Sequence, residues 1–312
     1  MLEAESTREG FGRGLVEAGR ADARIVALTG DLNDSTKVDA FARKFPARFV
    51  QAGIAEQNMV TMAAGLAVAG KVPFAASFGA FLPARCFDQI RVSVALSRLN
   101  VKLAATHCGV TTGEDGANAQ MLEDIALMRS LPNFTVIAPC DGEEARKATM
   151  AVAKMVGPAY LRLGREKVPH ASGNGVFTIG KAVILREGND VAIIANGVEV
   201  AQALEAAKAL AAKGVSARVI NLHTIKPLDE KTLVKAALQC GCVVTAEEHQ
   251  LQGGVGSAVA ELLAEKRPTP MEIVAVRGKF GESGKPAELL KKFGLDAKGI
   301  ERAALRALAR RK

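Results

Sequence analysis

Three short stretches of this sequence hold most of the side chains suited to chemistry, and each follows an apolar run. After "RIVALT" comes Gly30-Asp31-Leu32-Asn33-Asp34-Ser35, after "RFVQAG" comes Glu56, and after "VKLAAT" comes "HCGVTTGEDGANAQ", residues 107–120. Glu56 is the only charge between Arg48 and Lys71. In a helix it shares a face with Met59, Val60 and Ala63. Its carboxyl is therefore expected to be poorly solvated and to favour its protonated form. Such a group suits an acid that hydrogen-bonds a ring nitrogen. Taken singly, each stretch also has a purely structural explanation. Asp31 and Ser35 read as turn and cap residues, Glu56 as a first-turn acid favoured by the helix dipole, and His107 as a satisfied loop histidine. All three at strand ends of one sheet, where α/β folds place ligands, argue for a shared site.

The elements that must position these residues alternate along the chain. "RIVAL" (24–28), "RFV" (48–50), "VPFAAS" (72–77), "VKLAAT" (101–106), "FTVIA" (134–138) and "AYLRL" (159–163) read as buried parallel strands. Between them lie helical patterns such as "DGEEARKATMAVAKM", with acids in its first turn. "GREKVPHASGNG" (164–175) breaks the rhythm with Pro and Gly. A second α/β unit follows, with strand-like "DVAIIA" (190–195), "SARVINL" (216–222) and "GCVVTAEE" (241–248) and helical 199–214 and 256–266. The expected fold is α/β, two doubly wound domains over residues 1–168 and 187–312, with a linker at 169–186. The small residues Ala63, Ala64, Gly65, Ala67, Ala69 and Gly70 suggest that the helix after Glu56 lies in a subunit interface.

Composition removes several classes. The uncharged run 57–70 is too short and too polar to span a membrane. The amino terminus, charged from its third residue, shows no secretory signal, and five cysteines without CxxC spacing fit a reducing cytoplasm. A net charge of +8 fits nucleic acid or anionic substrates, but aromatics make up only 4% of the chain, too few for base stacking. There is no P-loop, no dinucleotide fingerprint, no GxSxG elbow and no paired-histidine metal spacing. No metal is expected to be held by this chain, and no nucleic acid or membrane to be bound.

"GIAEQNMVTMAAGLAVAG", "SFGAFLPARCFDQIR", "THCGVTTGEDGA" and "NLHTIKPLDE" together resemble the carboxyl-terminal half of a transketolase, best in the split form where that half is a separate chain. The resemblance covers nearly the whole chain and implies a pyrimidine-binding domain followed by the transketolase C-terminal domain. It implies thiamine diphosphate as cofactor, with Mg2+ (or Ca2+) held by a partner subunit that carries the "GDG…N" motif missing here, and an α2β2 assembly. Glu56 would hydrogen-bond the cofactor's aminopyrimidine ring. Phe78 and Phe81 would stack on and line the ring's pocket, and Asp31 would lie beside the cofactor. Arg8, Ser35, His107 and Arg165 would bind a sugar phosphate, a set chemically suited to an anion. Asp115 would read an acceptor hydroxyl, so that His107 and Asp115 join Glu56 as catalytic residues.

The implied reaction moves a two-carbon ketol unit from a ketose phosphate to an aldose, and only with the partner present. Two positions depart from the family pattern. Ala84 stands where many members have a third pocket aromatic, and Ala119 stands where "GEDG-x-x-H" places a histidine near the reacting carbonyl. The second departure leaves the donor ketose open. A 1-deoxyxylulose-5-phosphate synthase-like or 2-oxo acid dehydrogenase beta-like subunit, and a non-catalytic subunit of the same fold, are the alternatives.

Overall fold

The computed structural model describes residues 4–173 and 175–311. Its first sheet contains the six expected parallel strands. In spatial order they are Thr135–Ile137, Ala159–Arg162, Lys102–Thr106, Val72–Phe78, Ile25–Thr29 and Phe49–Gln51. Most of their residues are buried, because helices cover both faces, which is why they show in the sequence as unbroken apolar runs. One face packs against helices Thr7–Ala21 and Gly142–Lys154 through Phe11, Leu15, Ala148 and Val152. The other packs against helix Glu56–Val68 and the segment Ile90–Leu96 through Met59, Val60, Ile90 and Val94.

This order contains a reversal. From Ile25–Thr29 the chain moves outward to the edge strand Phe49–Gln51, then returns past it to Val72–Phe78 and continues in the opposite direction. The crevice at the carboxyl ends of Ile25–Thr29 and Val72–Phe78 is therefore the switch point at which such sheets bind ligands. Gly30 and Asp31 follow one of these strands, and Phe78 ends the other.

The second sheet has five strands in the order Met271–Val276, Val243–Gln250, Val191–Ala195, Ala217–Asn221 and Val183–Arg186, the last antiparallel. Residues 183–186, placed at the end of the linker in the sequence analysis, thus form an edge strand of this sheet. The short strand Thr224–Lys226 leaves this unit and pairs antiparallel with Thr135–Ile137 of the first sheet. Lys226 Nζ then caps carbonyls Arg129 and Leu131 at the end of helix Asp124–Ser130. Backbone pairing therefore joins the two units. No helix among the described residues is long and apolar enough to cross a membrane.

Helix Glu56–Val68 divides its small residues between two environments. Ala63 and Ala64 are buried in the chain's own core, whereas Gly65, Ala69 and Gly70 are exposed beside Val68. Helix Thr7–Ala21 begins at a capping box between Ser6 and Glu9. It lies against Gly142–Lys154 through glycines. A side chain on Gly10 would run into the Gly142 carbonyl, and one on Gly14 would meet Arg146 O at 2.8 Å.

Because this contact sets the position of Arg8, Gly10→Ala is expected to cost about 1–3 kcal/mol through overpacking. Differential scanning calorimetry should show a midpoint several degrees lower, and an unchanged midpoint would mean the helices separate freely.

Candidate active site

Glu56 opens its helix and is 2% exposed, so the expected burial is present. The structure adds a partner that the apolar pattern did not suggest. Arg85 Nη1 lies 2.7 Å from Glu56 Oε2, and its guanidinium sits 4.5 Å from the Phe81 ring centroid. This guanidinium reaches the carboxyl although Met59, Val60 and Ala63 lie in the apolar core. The surroundings of the buried Glu56 carboxyl are thus not purely apolar: it has one guanidinium partner. Gly30 belongs here by size, since a Cβ on it would lie 3.1 Å from Gly53 O and 3.6 Å from Glu56 Cγ.

A line of rings runs on from Arg85. Phe81 stacks on Phe78 with centroids 5.5 Å apart, and Phe78 stacks on His107 at 3.7 Å. His107 has φ +59°, a left-handed conformation that turns the chain sharply off strand Lys102–Thr106. Its Nδ1 is 2.9 Å from Thr106 Oγ1. Burial, with Arg8 and Arg165 nearby, pulls the imidazole down to about 3, so it is neutral at physiological pH. His107 therefore offers a hydrogen bond and a ring face, and no charge.

The positive charge comes from the two arginines. Arg8 Nη1 donates to Ser35 O at 2.9 Å, and its buried Nε has no partner among the described residues. Burial and the neighbouring Arg165 both lower its affinity for its proton. Arg165 Nη1 donates to Thr112 O at 2.7 Å and lies 3.5 Å from Glu114 and 3.8 Å from Asp115. Two guanidiniums close enough to oppose one another, one with an orphaned donor, form a place where an anion relieves repulsion.

Ser35 is brought to this group by its carbonyl, and its hydroxyl makes no hydrogen bond among the described residues. Asp31 is exposed with φ +61°, and Gln51 Oε1 accepts from its backbone N–H at 2.7 Å. Among the described residues no side-chain hydrogen bond or ion pair joins Asp31 to the other candidates. Gln51, which also donates to Asn33 Oδ1 at 2.9 Å, was not singled out in the sequence, and its position at the end of a strand was the available signal. Ala84 is exposed, and Ala119 is 8% exposed. The adjacent Gln120 does not replace the missing imidazole, because its amide donates to carbonyls Val110, Gly113 and Glu282 at 2.9–3.2 Å.

The loop that carries Asp115 is held by the second unit. Glu248 accepts from Thr111 N at 2.8 Å and from Thr111 Oγ1 at 3.1 Å. The buried Arg162 donates to Asp124 at 3.0 Å and to Glu248 O at 2.8 Å, while Tyr160 OH donates to Asp124 at 2.8 Å. Glu248 has no place in the sequence analysis, since an acid inside "VVTAEEHQ" looks like the end of a strand. Among the described residues, no group of three or more His, Cys, Asp or Glu side chains is arranged to hold a metal ion.

Comparison with known proteins gives a consistent set of relatives. Residues 3–170 match the family described as "Transketolase, pyrimidine binding domain", and residues 180–300 match "Transketolase, C-terminal domain". The chain is 45% identical to a "Putative transketolase C-terminal section" of Methanocaldococcus jannaschii, over 94% of this chain and 93% of that protein. It is also 45% identical to the "6-deoxy-6-sulfo-D-fructose transketolase subunit SqwH" of a Clostridium species, over 97% and 94%. Among solved structures, "Split gene transketolase, inactive beta4 tetramer" superposes with a TM-score of 0.93 at 47% identity, covering 99% of this chain and all of that one.

Burial raises the carboxyls of Glu248 and Glu144 to about 7. An acid that holds its proton more tightly when folded contributes stability below its unfolded range, and this is lost as pH rises through about 7. Unfolding free energy is therefore expected to fall between pH 5 and 8, each such group accounting for on the order of 3 kcal/mol. Glu248→Gln keeps an acceptor for Thr111 and should flatten that fall, leaving the variant more stable than the parent at pH 8. Denaturant titrations at stepped pH check this, and an unaltered slope would remove Glu248 as the titrating group.

Proposed function

This chain belongs to the transketolase family, as the C-terminal section of its split form, and from that premise we propose that it is one subunit of a thiamine-diphosphate-dependent ketol transferase. The observation that carries the reading is the pairing of a buried carboxylate, Glu56, with the stacked Phe78–Phe81 rings beside it at the switch point of the sheet. A flat heterocycle with a protonatable ring nitrogen fits such a place. The rings offer faces for stacking, and Glu56 accepts or gives the proton at the ring nitrogen. The cofactor, when bound, supplies the electron sink for breaking and forming a carbon–carbon bond beside a carbonyl.

The chain's other residues have separable tasks in this reading. Arg8 and Arg165 bind the phosphate of a sugar phosphate. Neutral His107 donates to, or accepts from, a substrate hydroxyl or carbonyl without altering the charge of the site. Asp115, at the rim with its side chain 40% exposed, accepts from a substrate hydroxyl. Asp31 is assigned to the cofactor side on the family resemblance alone. A partner subunit supplies the site for the diphosphate and Mg2+, an assignment that rests on the family resemblance. Self-association uses the apolar surface of Ile54, Val68, Val92 and Leu96, which are 44–80% exposed. One relative is named for 6-deoxy-6-sulfo-D-fructose, which supports a donor here other than the common pentulose phosphates. Ala119 is the position in this chain that fits such a difference.

In a complex reconstituted with a partner bearing "GDG…N", Glu56→Gln should lower kcat by 10²-fold or more, in the range of lost general acid–base catalysis. Far-UV circular dichroism should not change. The lone chain should show no ketol transfer, and activity from it would overturn the split-subunit reading. A donor screen of the parent against Ala119→His should move preference between ketoses. An identical ranking would remove Ala119 as a specificity position.

A further inference from the structure

The proposed reaction gives Arg85 no task, yet Arg85 is the residue that meets Glu56. Its Nη1 donates to Glu56 Oε2 at 2.7 Å, and its guanidinium carbon lies 4.5 Å from the Phe81 centroid. Its backbone carbonyl is fixed by Gln57 Nε2 at 3.0 Å, so the residue is anchored to the helix that Glu56 opens. The side chains differ sharply in exposure, 46% for Arg85 and 2% for Glu56. A half-exposed cation is thus holding a buried carboxyl.

The two contacts are those that the preceding section assigns to a cofactor ring: a flat face on Phe81 and an N–H donated to Glu56. A guanidinium is planar, cationic and built of conjugated C–N bonds, as is an aminopyrimidine protonated at a ring nitrogen. We propose that Arg85 is a built-in stand-in for that ring, occupying its subsite in the unloaded chain and withdrawing to solvent when the ring binds. This rests on the cofactor reading above. The reason for such a device is electrostatic. A carboxylate with almost no exposure and no counter-ion is costly. Among the described residues Arg85 alone pairs with Glu56, so a chain that waits for its cofactor and partner needs it. The half-exposed side chain can leave at little cost once another N–H donor arrives.

The test uses Arg85→Met, which keeps length and apolar contact and removes charge, planarity and donors. The lone variant should melt below the parent, and Arg85→Lys, which keeps a cation for Glu56, should recover most of that loss. In the reconstituted complex, isothermal titration with thiamine diphosphate should show Arg85→Met binding at least about threefold tighter, because the competitor is gone. The cofactor-induced rise in melting temperature should be correspondingly larger. Weaker binding would show that Arg85 is a ligand of the ring, and unchanged binding and melting would make it a bystander. Either result overturns the proposal. Glu56→Gln serves as the separate arm. If it binds thiamine diphosphate as tightly as the parent, or if the parent complex binds none, the cofactor reading itself fails. If it weakens binding while Arg85→Met does not tighten it, only the stand-in fails.

Discussion

The fully buried guanidinium of Arg162 is the interaction on which the site depends. It is tied to Asp124 on the helix that follows the Asp115 loop and to the backbone of Glu248 in the second unit. A buried arginine is tolerated only where its donors are met, so neither unit can shift against the other without stranding one of these groups. The same constraint fixes the loop 107–120. Glu248 takes the Thr111 amide, Arg165 takes the Thr112 carbonyl, and Gln120 ties the loop to Glu282. His107 and Asp115 sit at the two ends of a segment whose middle is held by the other unit.

The site itself is built from two sources of strain that this frame keeps in place. One is charge: Arg8 and Arg165 approach one another, and Arg8 retains an unused buried donor. The other is backbone: His107 and Asp31 both take left-handed conformations where strands end. Neither arrangement stabilises the chain by itself, and both persist because the surrounding sheet and helices over-determine them. Such features belong to a surface prepared for a ligand. The neutral state of His107 follows first from its burial and then from this crowding, since a third positive charge beside two guanidiniums is disfavoured.

How much of this was legible in the sequence depended on the range of the interaction. The central strands were visible because a strand buried on both faces needs a continuous apolar run, and "RIVALT" or "VKLAAT" leaves little else to infer. Burial of Glu56 was visible for a similar reason, since a lone charge among Met59, Val60 and Ala63 has few places to go. What failed to show was pairing at a distance. Arg85 stands 29 residues beyond Glu56 on an irregular segment with no periodicity to assign it a face. Thr224–Lys226 is three residues long and leaves its own unit, so no local pattern could show which sheet it would join. The small residues after Glu56 suggested one close-packed face, but Ala63 and Ala64 serve the chain's own core and Gly65 does not, a division that depends on the phase of the helix.

The position of Ala119 sharpens what the departure from the family pattern means. An alanine in place of an imidazole might have been absorbed by a neighbour swinging in, and Gln120 was the obvious candidate. Its side chain is instead consumed by three backbone carbonyls that hold the turn together. Releasing it would leave those acceptors unpaired in a buried setting, a cost comparable to the hydrogen bond it would gain. The missing donor is therefore not supplied by Gln120. The contact a histidine would make then falls to His107, to the partner subunit, to water, or to a substrate group that makes it unnecessary. Under the proposed ketol transfer, the last of these would tie the substitution to the chemistry of the donor sugar, because a polar or charged substituent on a ketose would fill the space beside Ala119.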